Sequence, residues 1–201
     1  PTISCIDLEK LEHHDVPNAV LYVLLESYGF TAWEDVYSLR TAQSGKQIFS
    51  KTHRLLKDRT TLQLIPLTDN RSVDSYTINS LEDPIEGDFG KLSIISSIYE
   101  ETNSRNEIYV AADSLGFPLE IRRWRKGDYF YPLGMKGKKK ISKFLKDEKL
   151  SLMVKENIWL LCSNERIVWV MGYRMDERFK VKNTTNPIVK IRYTYDQEEN
   201  L

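Results

Sequence analysis

Arg122-Arg123-Trp124-Arg125-Lys126-Gly127-Asp128 is followed by Pro132-Leu133-Gly134-Met135-Lys136-Gly137-Lys138-Lys139-Lys140 and then by Ile141-Ser142-Lys143-Phe144-Leu145-Lys146-Asp147. Within this stretch the chain changes conformation twice. From Ile121 to about Arg125 it reads as a strand, Lys126-Gly127-Asp128 as a turn, and Tyr131 to Gly137 as a Pro/Gly-rich loop. A short helix is expected over about 139–149. At about 100° per residue, Ile141, Phe144 and Leu145 share one face of it. Lys139, Lys143 and Lys146 take the other, with Lys140 and Lys149 at its margins. The apolar face docks the helix; the other is a lysine ridge.

Upstream, Asp15 is an expected N-cap for a helix from Val16, with Pro17 in its first turn. Val20, Leu21, Leu24, Leu25 and Tyr28 recur at helical spacing, and Gly29 is the expected stop. Thr31-Ala32-Trp33-Glu34 matches a capping box for a second helix that ends near Ser44-Gly45. The period then changes. Residues 48–56 and 61–67 read as strands around a Lys57-Asp58-Arg59 turn. Further strands are expected at 76–78, 92–99, 108–112, 158–162, 167–171 and 188–195, with turns at Asp83-Pro84 and Glu86-Gly87-Asp88. Residues 196–201 are expected to fray. The class is α+β: a small helical lobe (helix pair plus hairpin), then a mainly antiparallel β domain with a short basic helix. The boundary is placed near 114, giving 1–114 and 115–201.

Composition agrees with an ordinary globular chain: 201 residues, 29% charged and 41% hydrophobic. No apolar run approaches the roughly 20 residues that cross a bilayer. The start, Pro1-Thr2-Ile3-Ser4-Cys5, resembles no signal peptide and lacks Met, so the sequence reads as one entered midway. Cys5 and Cys162 follow no metal-ligand spacing, and Cys162 lies in an apolar run where a thiol packs as a small hydrophobe. A reduced, cytoplasmic setting is expected.

The formal net charge is zero, but the charge is segregated. Residues 1–116 balance at −8, residues 117–149 at +7 and residues 150–201 at +1. Such a chain presents a local electropositive surface suited to a polyanion.

Enzyme machinery is not legible. Gly45-Lys46 is followed by Gln47 rather than Ser or Thr, and the glycines from Gly134 onward are too close together for a P-loop. No G-x-G-x-x-G, G-x-S-x-G, H-E-x-x-H or C-x-x-C occurs. His13 and His14 are adjacent on a helix and point about 100° apart, a poor start for a shared metal. His53 reads as a structural histidine on a strand. Asp176 and Glu177, neighbours on an expected strand, would point to opposite faces.

The lysines are informative by position. Lys138, Lys139 and Lys140 crowd the expected helix start, where the macrodipole is already positive. A phosphate there would relieve the repulsion and accept unpaired amides, with Gly134 and Gly137 allowing close approach. A solvated face serving only solubility is the bland alternative; the segregation of charge favours an anionic partner, nucleic acid before membrane. Trp124 is expected to pack inward rather than stack on a base. Arg122 and Arg123 alternate faces, so one of them reaches solvent. Arg174 and Arg178, near Gly172, are weaker candidates.

At these residues the sequence resembles the tRNA(Ile)-lysidine synthase family. The run Leu119 to Asp128, then Pro132 to Gly137 and Lys139 to Asp147, looks like its C-terminal domain, as does Ile167-Val168-Trp169-Val170-Met171-Gly172-Tyr173-Arg174-Met175-Asp176-Glu177-Arg178-Phe179. The helix pair and Gln43-Ser44-Gly45-Lys46 are similar to the family's middle, substrate-binding domain. The resemblance implies a parent ligase that uses ATP and Mg to join free lysine to C2 of the wobble cytidine of tRNA(Ile), changing the codon read from AUG to AUA. An N-terminal PP-loop domain with Ser-Gly-Gly-x-Asp-Ser would carry that chemistry, and no such motif occurs here. By resemblance these residues form a tRNA-binding portion with no catalytic site, no cofactor and no metal of its own. Its candidate contacts are Arg122, Arg123, Arg125, Lys126, Lys136, Lys138, Lys139, Lys140, Lys143, Lys146, Arg174 and Arg178. The expected partners are tRNA(Ile) and the PP-loop domain, without a membrane; a homodimer is possible. Leu150-Ser151-Leu152 stands where the family often has an aliphatic-Pro-Arg turn, so the phosphate contact that the resemblance would imply there is not among those expected. The domain is also similar to a module of the phenylalanyl-tRNA synthetase beta subunit. A non-catalytic RNA-binding or assembly module, its basic helix meeting an acidic lobe, is the alternative. The discriminating test is Lys139, Lys140, Lys143 and Lys146 changed together to Glu.

Overall fold

A computed structural model describes residues 3–67, 73–80 and 84–195. They form two compact units, 3–67 and 73–195.

The first unit begins with strand β1 (Ser4–Asp7) and helix α1 (Leu8–Glu12), neither expected from sequence. Asp7 caps α1 by accepting from the Lys10 amide at 3.1 Å. Helices α2 (Pro17–Leu25) and α3 (Trp33–Ser38) confirm the helix pair. Their caps differ from expectation. Val16, not Asp15, is the N-cap of α2, and Ala32 that of α3, neither with a side-chain cap bond; the Thr31/Glu34 box does not form. Pro17 at the first position of α2 removes one orphan donor by itself. A 3-10 turn at Glu26–Tyr28 runs to Gly29, whose φ of +77° makes it the expected stop, and α3 gives way to a 3-10 turn at Leu39–Thr41 well before Gly45.

The strand expected at 48–56 is two strands, β2 (Gln47–Phe49) and β3 (His53–Asp58), because the Ser50 hydroxyl accepts the amides of Thr52 and His53 and turns the chain. With β4 (Thr61–Pro66) they form an antiparallel sheet in the order β1-β4-β3-β2. Leu8, Leu11, Leu21, Leu25, Val36, Leu39, Leu55, Leu62 and Leu64 fill the core between helices and sheet.

The second unit holds β5 (Ser75–Ile78), β6 (Ile85–Gly87), β7 (Gly90–Ser97), β8 (Glu107–Ala111), β9 (Leu119–Arg123), β10 (Tyr129–Phe130), β11 (Lys139–Lys140), helices α4 (Ile141–Asp147) and α5 (Leu152–Glu156), β12 (Trp159–Ser163), β13 (Arg166–Val170), β14 (Arg174–Met175) and β15 (Ile188–Thr194). The units part before β5, not near 114 as the sequence suggested. The reason is pairing at long range: β5 bonds to β9, and β15 lies between β7 and β8. Asp83 and residues 196–201, an expected turn position and an expected frayed end, lie outside the described residues.

Two antiparallel sheets, β14-β13-β12-β9-β5 and β6-β7-β15-β8, enclose the main core, which includes Phe89, Leu119, Ile121, Leu161 and Trp169. A second core lies on the other face of the five-stranded sheet, where Phe130, Ile141, Phe144 and Leu145 pack on Leu160, Cys162, Ile167 and Val170. Strand β12 is therefore buried on both faces, which is why its sequence is an unbroken apolar run. Val168 has no partner across from it where β12 and β13 change register, and this bulge turns Val168 and Trp169 both to the main core.

Candidate nucleic-acid interface

The lysine-bearing helix is shorter than expected and starts later. Lys139 and Lys140 are extended and pair with Phe130 and Tyr129, so α4 begins at Ile141 with Lys140 as its N-cap. The apolar face is as expected: Ile141, Phe144 and Leu145 are buried, and Ser142, Lys143 and Lys146 are exposed. The helix start is partly engaged, however. The Ile141 amide donates to the Asp128 carbonyl at 2.9 Å, so one donor awaiting a phosphate is already satisfied.

Asp128 is the organiser of this junction. Its carboxylate takes a bidentate pair of bonds from Arg122 at 2.8 and 2.9 Å and a third from the Arg125 amide at 2.7 Å. Burial works to raise its pKa, but the Arg122 guanidinium and the Arg125 amide outweigh it and hold the carboxyl below its ordinary value. Arg122, only 8% exposed, has its own pKa raised, first by that bond to Asp128. It is a structural cation.

Several other candidates are tied down as well. Lys139 pairs with Asp147 at 2.9 Å and is only 15% exposed along its side chain; the bond lowers the Asp147 pKa. Arg123 donates to the Glu156 carbonyl and to Asn157, and its guanidinium lies 4.5 Å from the Trp159 ring centroid. Arg178 grips Asp176, which is fully buried and also accepts the Tyr131 amide. Arg174 is exposed but donates to the Leu133 carbonyl at 3.1 Å. Trp124 packs with the second core and its Nε1 donates to the Lys155 carbonyl, so its ring is held inward.

Seven candidates remain exposed and outside any ion pair or side-chain hydrogen bond among the described residues: Arg125, Lys126, Lys136, Lys138, Lys140, Lys143 and Lys146. They are unopposed because the four acids of 117–149 are engaged elsewhere. Glu120 and Asp128 face Arg122, Asp147 faces Lys139, and Glu148 approaches Arg105. The +7 balance of this segment is thus expressed outward, on the turn after β9, the 131–138 loop and the outer face of α4.

That loop is pinned. Leu133 N donates to Met175 O, Glu177 N to Tyr131 O, and Gly134 N to the Glu177 carboxylate. Asp176 and Glu177 are not strand neighbours on opposite faces; they open a 3-10 turn at Glu177–Phe179 and together hold the loop. Gly134 and Gly137 have φ of +77° and +83° with open space where a Cβ would be, so backbone conformation rather than crowding demands glycine. The sequence reading missed Asp128, Asp176 and the two tyrosines beside Phe130; the alternation Tyr129-Phe130-Tyr131 was the available signal.

Elsewhere in this unit a cleft of about 330 Å³ is lined by Tyr99, Glu107, Tyr109, Tyr173 and Arg174, among others. Its Glu107 is paired with Lys190 at 3.4 Å. Ser151 caps α5, accepting the Val154 amide at 3.3 Å. His13 Nδ1 bonds to the Glu9 carbonyl and His53 meets Tyr28 edge-on. Among the described residues no three His, Cys, Asp or Glu side chains cluster as metal ligands, and no helix is long and apolar enough to cross a membrane.

Comparison with known proteins matches this architecture. A crystal structure of a TilS C-terminal domain is similar over 62% of this chain and 99% of its own, with a TM-score of 0.54 at 17% identity. The second unit therefore has the fold of that domain class. Residues 2–67 match the TilS substrate binding domain, and residues 119–192 the TilS substrate C-terminal domain. Two proteins named tRNA(Ile)-lysidine synthase are similar along nearly the whole chain: one from Parabacteroides distasonis at 38% identity over 194 residues, one from Bacteroides thetaiotaomicron at 34% over 187. These alignments cover 94% and 92% of this chain, which belongs to the tRNA(Ile)-lysidine synthase family. The chain spans 44% and 42% of the length of those two relatives, so it corresponds to less than half of each.

Proposed function

We propose that this chain is the tRNA-holding part of a tRNA(Ile)-lysidine synthase. In this reading an ATP- and Mg-dependent PP-loop domain of the same protein joins lysine to the wobble cytidine in the cytoplasm. The residues described here grip the tRNA body and contribute no catalytic group. The observation that carries the reading is the set of seven exposed, unpaired cations on a pinned loop, a turn and one helix face. Phosphate contacts of this kind supply affinity without sequence information, whatever else reads the tRNA.

The structure changes which residues belong in the test. Lys139 is spent on Asp147, so Lys136, Lys140, Lys143 and Lys146 are the set to convert to Glu. The full chain is expected to bind tRNA(Ile), with log K falling against log salt at roughly 0.7–0.9 per phosphate neutralised. The quadruple variant should bind more weakly with a flatter slope while keeping its circular dichroism spectrum, since all four side chains are exposed. Unchanged binding and slope would overturn the assignment of this face. Salt-sensitive self-association without tRNA affinity would point instead to an assembly module.

A further inference from the structure

We propose that Tyr129 is a stacking platform for an unpaired nucleotide of the bound RNA. The inference rests on the tRNA-binding reading and adds a non-ionic contact that the basic residues do not supply. In the hairpin of β10 and β11, Phe130 is fully buried, while Tyr129 beside it is 42% exposed. Strand alternation therefore turns the Tyr129 ring away from the core, beside Lys138 and its cross-strand partner Lys140.

The ring is held from two sides. The Lys138 ammonium lies 3.8 Å from its centroid, and the Tyr131 ring meets it edge-on at 6.3 Å. The Arg178 guanidinium in turn lies 4.7 Å from the Tyr131 centroid and is fixed by buried Asp176. The result is a row, Lys138–Tyr129–Tyr131–Arg178, in which two adjacent rings are flanked by cations and one end is anchored by a buried carboxylate. Such a row is ordered before any ligand arrives, so docking a flat group loses little side-chain entropy. Cations beside an exposed ring suit a nucleotide, with its base on the ring face opposite Lys138 and its phosphate at an ammonium group. Bases within a duplex hide their faces, so the occupant is unpaired, at a strand end, loop or bulge.

The test compares the full chain with Tyr129→Ala, Tyr129→Phe and Lys138→Ala, binding tRNA(Ile) and a blunt RNA duplex across a salt series. Tyr129→Ala should weaken tRNA binding about tenfold, in the range of one stacked base, without altering the salt slope. Tyr129→Phe should stay within about twofold of wild type, and blunt-duplex binding should not respond to either change. Lys138→Ala should instead lower the slope by about one phosphate. Wild-type affinity in Tyr129→Ala would overturn the proposal while leaving the basic face intact. A slope change in Tyr129→Ala matching that of Lys138→Ala would also overturn it, because the ring would then only seat the lysine. Loss of tRNA binding by the wild-type chain itself would sink the functional reading, a result distinguishable from both.

Discussion

Asp128→Asn separates the scaffold of the basic face from its charge. The substitution removes one negative charge beside seven unpaired cations, so electrostatics alone predicts tighter RNA binding. The structure predicts the opposite. The new side-chain amide turns N–H donors toward the Arg122 guanidinium, which has only donors of its own. Arg122 would keep its 3.1 Å bond to the Arg123 carbonyl and a 3.6 Å approach to Glu120, too little for a side chain that is 8% exposed. Breaking a fully buried pair from one side costs about 3–5 kcal/mol. Asp128 keeps 15% side-chain exposure, so about 2–3 kcal/mol is expected here. The turn that presents Arg125 and Lys126, and the carbonyl that receives the Ile141 amide, loosen together. RNA affinity should therefore fall. Urea unfolding at several pH values is the assay. The folded-state pKa of Asp128 is depressed, so its contribution is present above the unfolded-state value near 3.9 and lost as pH falls through the lower folded value. The stability gap between wild type and variant should be full at pH 7 and shrink below about pH 4. A gap that is absent at pH 7, or equally wide at pH 3, would refute the reasoning.

Two further outcomes follow from buried groups. Asp176→Asn leaves Arg178, whose side chain is 32% exposed, without its buried partner and loosens the bond to the Tyr131 amide, at a cost of about 1–3 kcal/mol. Hydrogen exchange should then show faster amides across the 131–138 loop, and protection equal to wild type there would contradict the pinning described. Burial pushes the Cys162 thiol up to about 12, whereas Cys5 is exposed. Iodoacetamide at neutral pH should therefore label one cysteine in the native chain and two after denaturation, and prompt double labelling would refute the buried assignment.

Local signals carried a good part of this molecule. The helix pair was legible because Val20, Leu21, Leu24 and Leu25 recur at the period of a helix and Gly29 can adopt a left-handed stop. The apolar face of the basic helix was legible for the same reason. The twelve candidate cations were chosen by type and proximity in sequence, and seven of them stand unpaired at the surface. What failed depended on which side chains meet once the chain has folded, even where the partners are near in sequence. Arg122 and Lys139 looked like their neighbours, yet Asp128 and Asp147 neutralise them, and Asp176 does the same for Arg178. The caps expected of Asp15 and Thr31 gave way to Val16 and Ala32, neither of which makes a side-chain cap bond.

Sequence alone determined the helix pair, most of the longer strands, the family and the excess of positive charge in one segment, since periodicity, motif order and charge are properties of neighbouring residues. Tertiary structure decided the division into units and the membership of the basic face. Strands β5, β7 and β8 join the second unit through pairing with β9 and β15 and through the shared core, and a lysine becomes available to a ligand only when no carboxylate folds against it. Both are matters of which groups meet in space, and a linear order of residues does not contain them.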